Sequence, residues 1–265
     1  MNMFMYKTGC GYFRVRERGV PKVSFLILAQ YTKSSKRNTM PISREEKQRG
    51  SLIVLEGCDH SGKTTQCKKL VCALNEAGIK TKAMRFPDRT TTIGKMIDSY
   101  LGNKCDIEDH SVHLLFSANR WEMVPRMKSD LESGTSLIID RYAYSGVAFT
   151  AAKEGFDINW CKQPDVGLPQ PDRVIYLTVS PEEAANRGTF GDERYEQKEF
   201  QQKVSENFEK LRDSVWTEVK ADKTIDDLHR ELLQIAKNII EESSSKPLGK
   251  LWCNSHEKTT KIISI

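Results

Sequence analysis

The residues best equipped for chemistry lie in one run, Gly57-Cys58-Asp59-His60-Ser61-Gly62-Lys63-Thr64-Thr65. Its spacing matches G-x-x-x-x-G-K-[ST], a loop that holds phosphate. Gly57 and Gly62 let successive backbone N–H groups turn toward one point, where they cradle phosphate oxygens. A helix starting just after the loop adds its partial positive N-terminus. Lys63 supplies a mobile cation for terminal phosphates, and the Thr64 hydroxyl a ligand for Mg²⁺. The plain alternative is a glycine-rich turn with an incidental lysine. Context weighs against it: Ser51-Leu52-Ile53-Val54-Leu55-Glu56 reads as a strand before the loop, and Gln66, Lys68, Lys69, Leu70 and Leu74 as a helical pattern after it.

Other residues could complete a site. Asp140 follows Leu137-Ile138-Ile139, so it ends a strand. A carboxylate there, beside a phosphate loop, holds Mg²⁺ directly or through water; it is equally a turn-starting Asp. Arg141 follows it, and Phe86-Pro87-Asp88-Arg89 ends another strand. Guanidiniums bind phosphate bidentately, which suits a second phosphorylated substrate; surface arginines are the bland alternative. Phe116 and Arg120 share a helix face, where one can stack a base and the other bond its carbonyl edge. Periodicity alone reads Phe116 as core. Arg187-Gly188-Thr189-Phe190-Gly191-Asp192-Glu193-Arg194-Tyr195 has the glycine-broken, charged composition of a mobile lid, or of a surface loop.

The elements that must position these residues alternate in type. Strands are read at Ser51–Glu56, Thr81–Phe86, Ser136–Asp140, Arg173–Val179 and, weakly patterned, Val215–Ala221. Helices are read at Lys63–Ala77, Ile93–Leu101, Asp109–Lys128, Ser145–Ala152, Tyr195–Ser214 and Ile225–Ile240, with a further start at Ser180-Pro181-Glu182-Glu183. Asp109 is read as an N-cap, and Pro125 as kinking or ending its long helix. Ser243–Ser245 begins a polar tail. This alternation implies an α/β fold with a doubly wound parallel sheet of about five strands, flanked by helices. Ligands then sit at the carboxyl ends of the strands.

Composition narrows the classes. The net charge of +5 is concentrated in residues 1–40, where eight cations face only Glu17; that +7 leaves −2 for the other 225 residues. No basic face for nucleic acid is implied, and no apolar run is long enough to span a bilayer. Seven cysteines, an odd number without C-x-x-C spacing, argue against zinc or a disulfide framework and for a reducing compartment: cytosol, nucleus or organelle matrix. Residues 1–50 form a basic extension, read either as a mitochondrial presequence within 1–40 or as a disordered tail. Met40 stands as an alternative start, eleven residues before the first strand. The domain itself is read as 51–252, its lid as about 181–196, and a tail as 253–265.

Several runs together resemble thymidylate kinase, in its eukaryotic branch, over about four-fifths of the chain. They are Gly57–Thr65, Arg85–Arg89, Asp109–Glu122, Asp140–Phe149, Trp160–Pro169 and the Gly188–Glu196 lid. The resemblance implies a P-loop NTPase-type kinase that makes dTDP from dTMP and ATP, with Mg²⁺, as a homodimer. It implies that Gly57, His60, Ser61, Gly62, Lys63, Thr64 and Thr65 bind ATP, with Thr64 and Asp140 on the metal side. Arg187, with Ala221–Thr224, would flank adenine. Asp59 would meet the sugar 3′-hydroxyl of dTMP, Arg89 and Arg141 its phosphate, Phe116 and Arg120 its base. Tyr195 would crowd the 2′ position, and Phe86 and Gly146 would complete the acceptor site. By the same resemblance, Lys63, Arg141, Asp59 and His60 would carry the catalytic roles.

His60 departs from the family, which has arginine there in its eukaryotic branch. Either its imidazolium replaces that arginine, or Arg194 or another lid cation does. Two other readings stay open: a deoxynucleoside kinase, which does not need two further arginines for an acceptor phosphate, and a nucleotide-binding protein of low turnover.

Overall fold

A computed structural model describes residues 48–180, 183, 184, 187, 194, 195 and 197–253, together with the backbone of two short strands near the start. The chain forms two units, Met1–Arg44 and Glu45–Ile265. In the first, β1 (Tyr6–Thr8) pairs antiparallel with β2 (Gly11–Phe13), a hairpin that composition did not suggest. The rest of residues 1–47 lies outside the described residues, and with it the presequence and tail readings. So do most of the lid and residues 254–265.

The second unit is built on a parallel sheet of five strands: β3 (Leu52–Glu56), β4 (Thr81–Arg85), β5 (Ser136–Asp140), β6 (Arg173–Thr178) and β7 (Trp216–Lys220). Their order is β4-β5-β3-β6-β7. Strand β3 is buried along its whole length, which its continuous apolar run requires. Its side chains alternate between two cores. Leu52 and Val54 join Leu137, Ile139, Val174 and Tyr176 on one face; Ile53 and Leu55 join Ile138, Ile175 and Leu177 on the other. Each fully buried aliphatic side chain contributes roughly 1.5–3 kcal/mol.

Helices cover both faces. On the first lie α4 (Val124–Glu132), α5 (Ala143–Ala151) and α7 (Lys198–Leu211), through Met127, Val147 and Phe208. On the second lie α1 (Lys63–Glu76) and α8 (Ile225–Ser243), through Leu70, Leu74, Leu228 and Leu232. A smaller core joins α2 (Thr92–Leu101) to α3 (Asp109–Trp121) through Ile97, Tyr100 and Val112. Among the described residues, no helix is long and apolar enough to cross a membrane.

The structure corrects several boundaries. The long helix read as Asp109–Lys128 is two helices, α3 and α4. Pro125 sits in the first turn of α4, where its missing N–H has no intrahelical partner to lose. Glu108, not Asp109, caps α3: its carboxylate accepts from Ser111 N at 3.0 Å. A short helix α6 (Ile158–Lys162) lies in a stretch to which the sequence pattern assigned no element. Helix α8 runs on to Ser243, which is buried and hydrogen-bonded to Ser51 at 2.6 Å rather than opening a tail. Arg49, from the basic extension, donates twice to Asp172, at 2.8 and 2.6 Å.

The register brings the carboxyl ends of three strands level. Asp140 lies opposite both Leu55 and Arg85, with Glu56 one residue beyond. All the loops that carry the candidate chemistry leave from this edge.

Candidate active site

The phosphate loop needs its glycines. Gly57 has φ +146°, and a Cβ there would lie 2.5 Å from Leu177 O; Gly62 has φ +91°. His60 takes φ +61° without being glycine, a conformation that costs a side-chain-bearing residue some strain. Lys63 folds back over the loop, donating to Cys58 O at 2.7 Å and Ser61 Oγ at 3.1 Å. Burial pushes its ammonium pKa down to about 8, and the neighbouring Arg141 adds to the effect. The charge of an incoming phosphate would favour the ammonium and oppose both influences.

Thr64 Oγ1 donates to Asp140 Oδ2 at 2.5 Å. The other oxygen, Asp140 Oδ1, is buried and has no hydrogen-bond partner. A lone buried carboxylate oxygen beside a threonine hydroxyl is a donor set that suits a hard divalent cation.

Arg141 stands at the centre. It adopts φ +66°, and its N donates to Leu55 O at 3.0 Å. Its guanidinium pairs with Asp59 Oδ1 and reaches Ser145 Oγ at 3.2 Å. Burial alone would push the Asp59 carboxyl up; Arg141, Lys63 and the Gln201 hydrogen bond outweigh it and hold the pKa below the usual range. Glu56, fully buried, accepts from Tyr142 N (2.9 Å), Ser145 N (3.0 Å) and Ser145 Oγ (2.5 Å). Burial pushes its pKa up against those bonds. It thereby caps α5 from a neighbouring strand, which lets the helix start at Ala143 rather than at Ser145 as its sequence suggested.

Two cavities meet at this point. The smaller, ≈ 200 Å³, is lined by Asp59, Phe86, Arg89, Phe116, Arg120, Arg141, Gly146 and Tyr195 among others. Every residue read as acceptor-binding therefore faces one space. Phe116 faces it while also packing on the α2–α3 core, so the core reading holds and the ring still borders the cavity. Arg120 is only 2% exposed; it donates to Asp165 at 3.0 and 2.6 Å, and Asp165 accepts also from Ser117 at 2.7 Å. Gly146 makes room for it, since a Cβ there would lie 2.8 Å from Arg120 Nη2. Arg89 donates to Asp98 at 2.7 Å. Tyr195 donates to Tyr100 OH at 3.0 Å and stacks on Phe200.

The larger cleft, ≈ 600 Å³, is lined by His60, Gly62, Lys63, Thr64, Thr65 and Arg187, with Lys223, Thr224 and Ile225 opposite. Arg187 donates to Ala221 O at 2.6 Å, which places it against the segment named with it. Asp59, Arg85 and Arg141 line both cavities. Arg194 instead donates to Tyr100 O, Cys105 O and Asp106 Oδ1, with its guanidinium 4.2 Å from the Tyr100 ring centroid.

Four contributors escaped the sequence reading: Glu56, Arg85, Asp165 and Gln201. Asp165 sits inside a run already singled out, which was its available signal. Gln201 carried none, being a polar residue on a polar helix.

A family model described as thymidylate kinase matches residues 55–232, the stretch that builds both cavities. The chain belongs to the thymidylate kinase family. It is 55% identical to a thymidylate kinase of Danio rerio over 207 residues, covering 77% of this chain and 98% of that one. Against the thymidylate kinase of Homo sapiens the identity is 53% over 207 residues, with the same coverage. The solved thymidylate kinase of Candida albicans matches with a TM-score of 0.70 and 38% identity, over 76% of this chain and 98% of that one. Both cavities of this thymidylate kinase family member lie at the carboxyl edge of the five-stranded parallel sheet, where Arg85, the last residue of β4, lines each of them.

The Arg120–Asp165 pair, buried on both sides, sets a testable value. Asp165→Ala should leave the guanidinium charge unmatched and cost about 3–5 kcal/mol in urea-induced unfolding. A loss under about 1 kcal/mol would show that the pair does not support Arg120.

Proposed function

We propose that this protein transfers the γ-phosphoryl group of ATP to dTMP, giving ADP and dTDP. The observation that carries the reading is a second cavity lined both by two arginines from strand-end loops, Arg89 and Arg141, and by Phe116 and Arg120 from α3. That arrangement suits a phosphate and a planar base at once. Family membership supports the same substrates. A deoxynucleoside kinase would have no use for the paired arginines.

A dTMP phosphate oxygen is already anionic, so it attacks the γ-phosphorus without a strong general base. The bond to the β–γ bridging oxygen breaks and ADP leaves. Positioning and charge neutralisation carry the catalysis. Lys63 and the loop N–H groups hold the ATP phosphates, and Arg187 flanks the adenine. Asp59 takes the sugar 3′-hydroxyl. Arg141, in the wall between the cavities, neutralises charge on the acceptor phosphate. Arg120, fixed by Asp165, reads the base edge, and Tyr195 stands at the 2′ side. Thr64 and Asp140 would hold Mg²⁺, which neutralises charge on the β- and γ-phosphates when bound.

We place His60, which lines the ATP cleft, at the transferring group; of the described lid cations, Arg194 is engaged with Tyr100 and Asp106, and Arg187 with Glu183 and Ala221. The exposed Leu114 and Trp121, seven apart on α3, support a homodimer, which sedimentation velocity checks. The protein works in the cytosol or nucleus if residues 1–40 are a tail, and in mitochondria if they are a presequence; imaging a fusion of residues 1–50 to a reporter decides between them.

Two substitutions test these roles. Arg89→Ala should lower kcat/KM for dTMP by about 10²-fold, the worth of a charge-assisted phosphate contact, while changing the inhibition constant of thymidine, which lacks the phosphate, by no more than a few-fold. Equal weakening of dTMP and thymidine would remove Arg89 from the phosphate site. His60→Ala should lower kcat by about 10²-fold, with His60→Arg retaining activity. An alanine variant with unchanged kcat excludes His60 from the transition state.

A further inference from the structure

One side chain outside the phosphate loop touches more of this site than its position suggests. Gln201 lies in the first turn of α7, 142 residues from Asp59, and is 8% exposed. Its amide oxygen accepts from Asp59 N at 3.2 Å. Its amide nitrogen donates to Asp59 Oδ2 at 2.7 Å and to Tyr195 O at 3.0 Å. The backbone carbonyl of the same residue accepts a long contact, 3.8 Å, from Cys58 Sγ. Next to it, Phe200 stacks on the Tyr195 ring with centroids 5.2 Å apart and planes at 12°.

The chemistry calls for an amide. One group must accept from a backbone N–H and donate twice, and of the side chains only Asn and Gln carry an acceptor oxygen with two donor hydrogens on one planar head. A glutamate could accept but would meet the Asp59 carboxylate with like charge. The Asp59 carboxylate is held from both sides: Oδ1 by Arg141 and Oδ2 by Gln201. Each oxygen keeps a second lone pair. Its plane, and so the direction in which those lone pairs point, is therefore set jointly by Arg141 and Gln201.

We infer that Gln201 is a positioning residue: it aims the Asp59 carboxylate at the acceptor's 3′-hydroxyl, its own amide being held by the Tyr195 carbonyl. The inference rests on the dTMP kinase reading for the identity of the acceptor, but its geometry does not. The Tyr195 carbonyl takes the second hydrogen of the nitrogen that orients Asp59, at 3.0 Å, and so fixes the plane of the amide.

The test uses the full chain with saturating ATP and Mg²⁺, and compares dTMP with 3′-deoxythymidine 5′-monophosphate. In Gln201→Leu and Gln201→Glu, kcat/KM for dTMP should fall about tenfold or more, with KM for ATP unchanged. Use of the 3′-deoxy acceptor should fall less than about threefold, so the preference for the hydroxyl collapses. A merely structural role would lower both acceptors equally, and that result, or no loss on either, overturns the proposal. Amide hydrogen exchange at Asp59 gives a second readout that needs no turnover. Faster exchange in Gln201→Leu supports the positioning role even if the wild type fails to phosphorylate dTMP, which would sink the kinase reading alone. Unchanged exchange overturns the proposal whatever the activity.

Discussion

The ion pair between Arg141 and Asp59 is the interaction on which the rest of the site depends. Both groups stand in the wall that the two cavities share. Burial works against each charge, and each is kept ionised mainly by the other: Arg141 has its pKa raised although burial opposes it, and Asp59 has its pKa lowered for the matching reason. In so desolvated a place the pair is favourable only if its geometry is held. Three features hold it: the left-handed backbone at Arg141, the bond from its N to Leu55 O, and Ser145 beside its guanidinium. A cation held this way needs little reorganisation when phosphate arrives. Charge fixed in place before the reaction is the main means by which a protein speeds phosphoryl transfer.

The same use of buried carboxylates recurs around the centre. Glu56 caps α5, and α5 in turn carries Gly146, Phe149 and Thr150 into the acceptor cavity. Asp165 holds Arg120, which lines that cavity, and Asp140 accepts from Thr64, which lines the ATP cleft. Each carboxylate joins two segments far apart in sequence. None adds much net stability, because desolvation offsets most of the attraction. Their physical role lies in fixing where a guanidinium, a hydroxyl or a helix end points.

What the sequence made legible follows from this division. The strands were legible because Leu52–Leu55 and Leu137–Ile139 are continuous apolar runs that only a doubly covered parallel sheet can bury. The phosphate loop was legible because its glycines and Lys63 are required by local geometry. The break between α3 and α4 was not, since the helical pattern runs through Glu122 and Met123 without interruption and only Pro125 marked the region. The early start of α5 could not be read locally, its cap lying 89 residues away in Glu56. The partners of Arg120 and Asp59 were hidden for the same reason: 45 and 142 residues separate them from Asp165 and Gln201, and nothing periodic connects the two members of either pair. Residues that act by local backbone geometry are visible in sequence; residues that act by aiming another side chain appear only in three dimensions.

Central to these proposals is a second cavity that takes a nucleoside monophosphate, with the wall between the cavities serving the transfer. The most direct test is formation of ADP by the full chain with ATP and Mg²⁺, measured separately with dTMP, dUMP, UMP and thymidine. Rapid ADP formation is expected with dTMP, weak formation with UMP on the proposed placement of Tyr195 at the 2′ side, and none above background with thymidine. Product from thymidine alone, or tight binding of ATP and dTMP without any ADP, would contradict it.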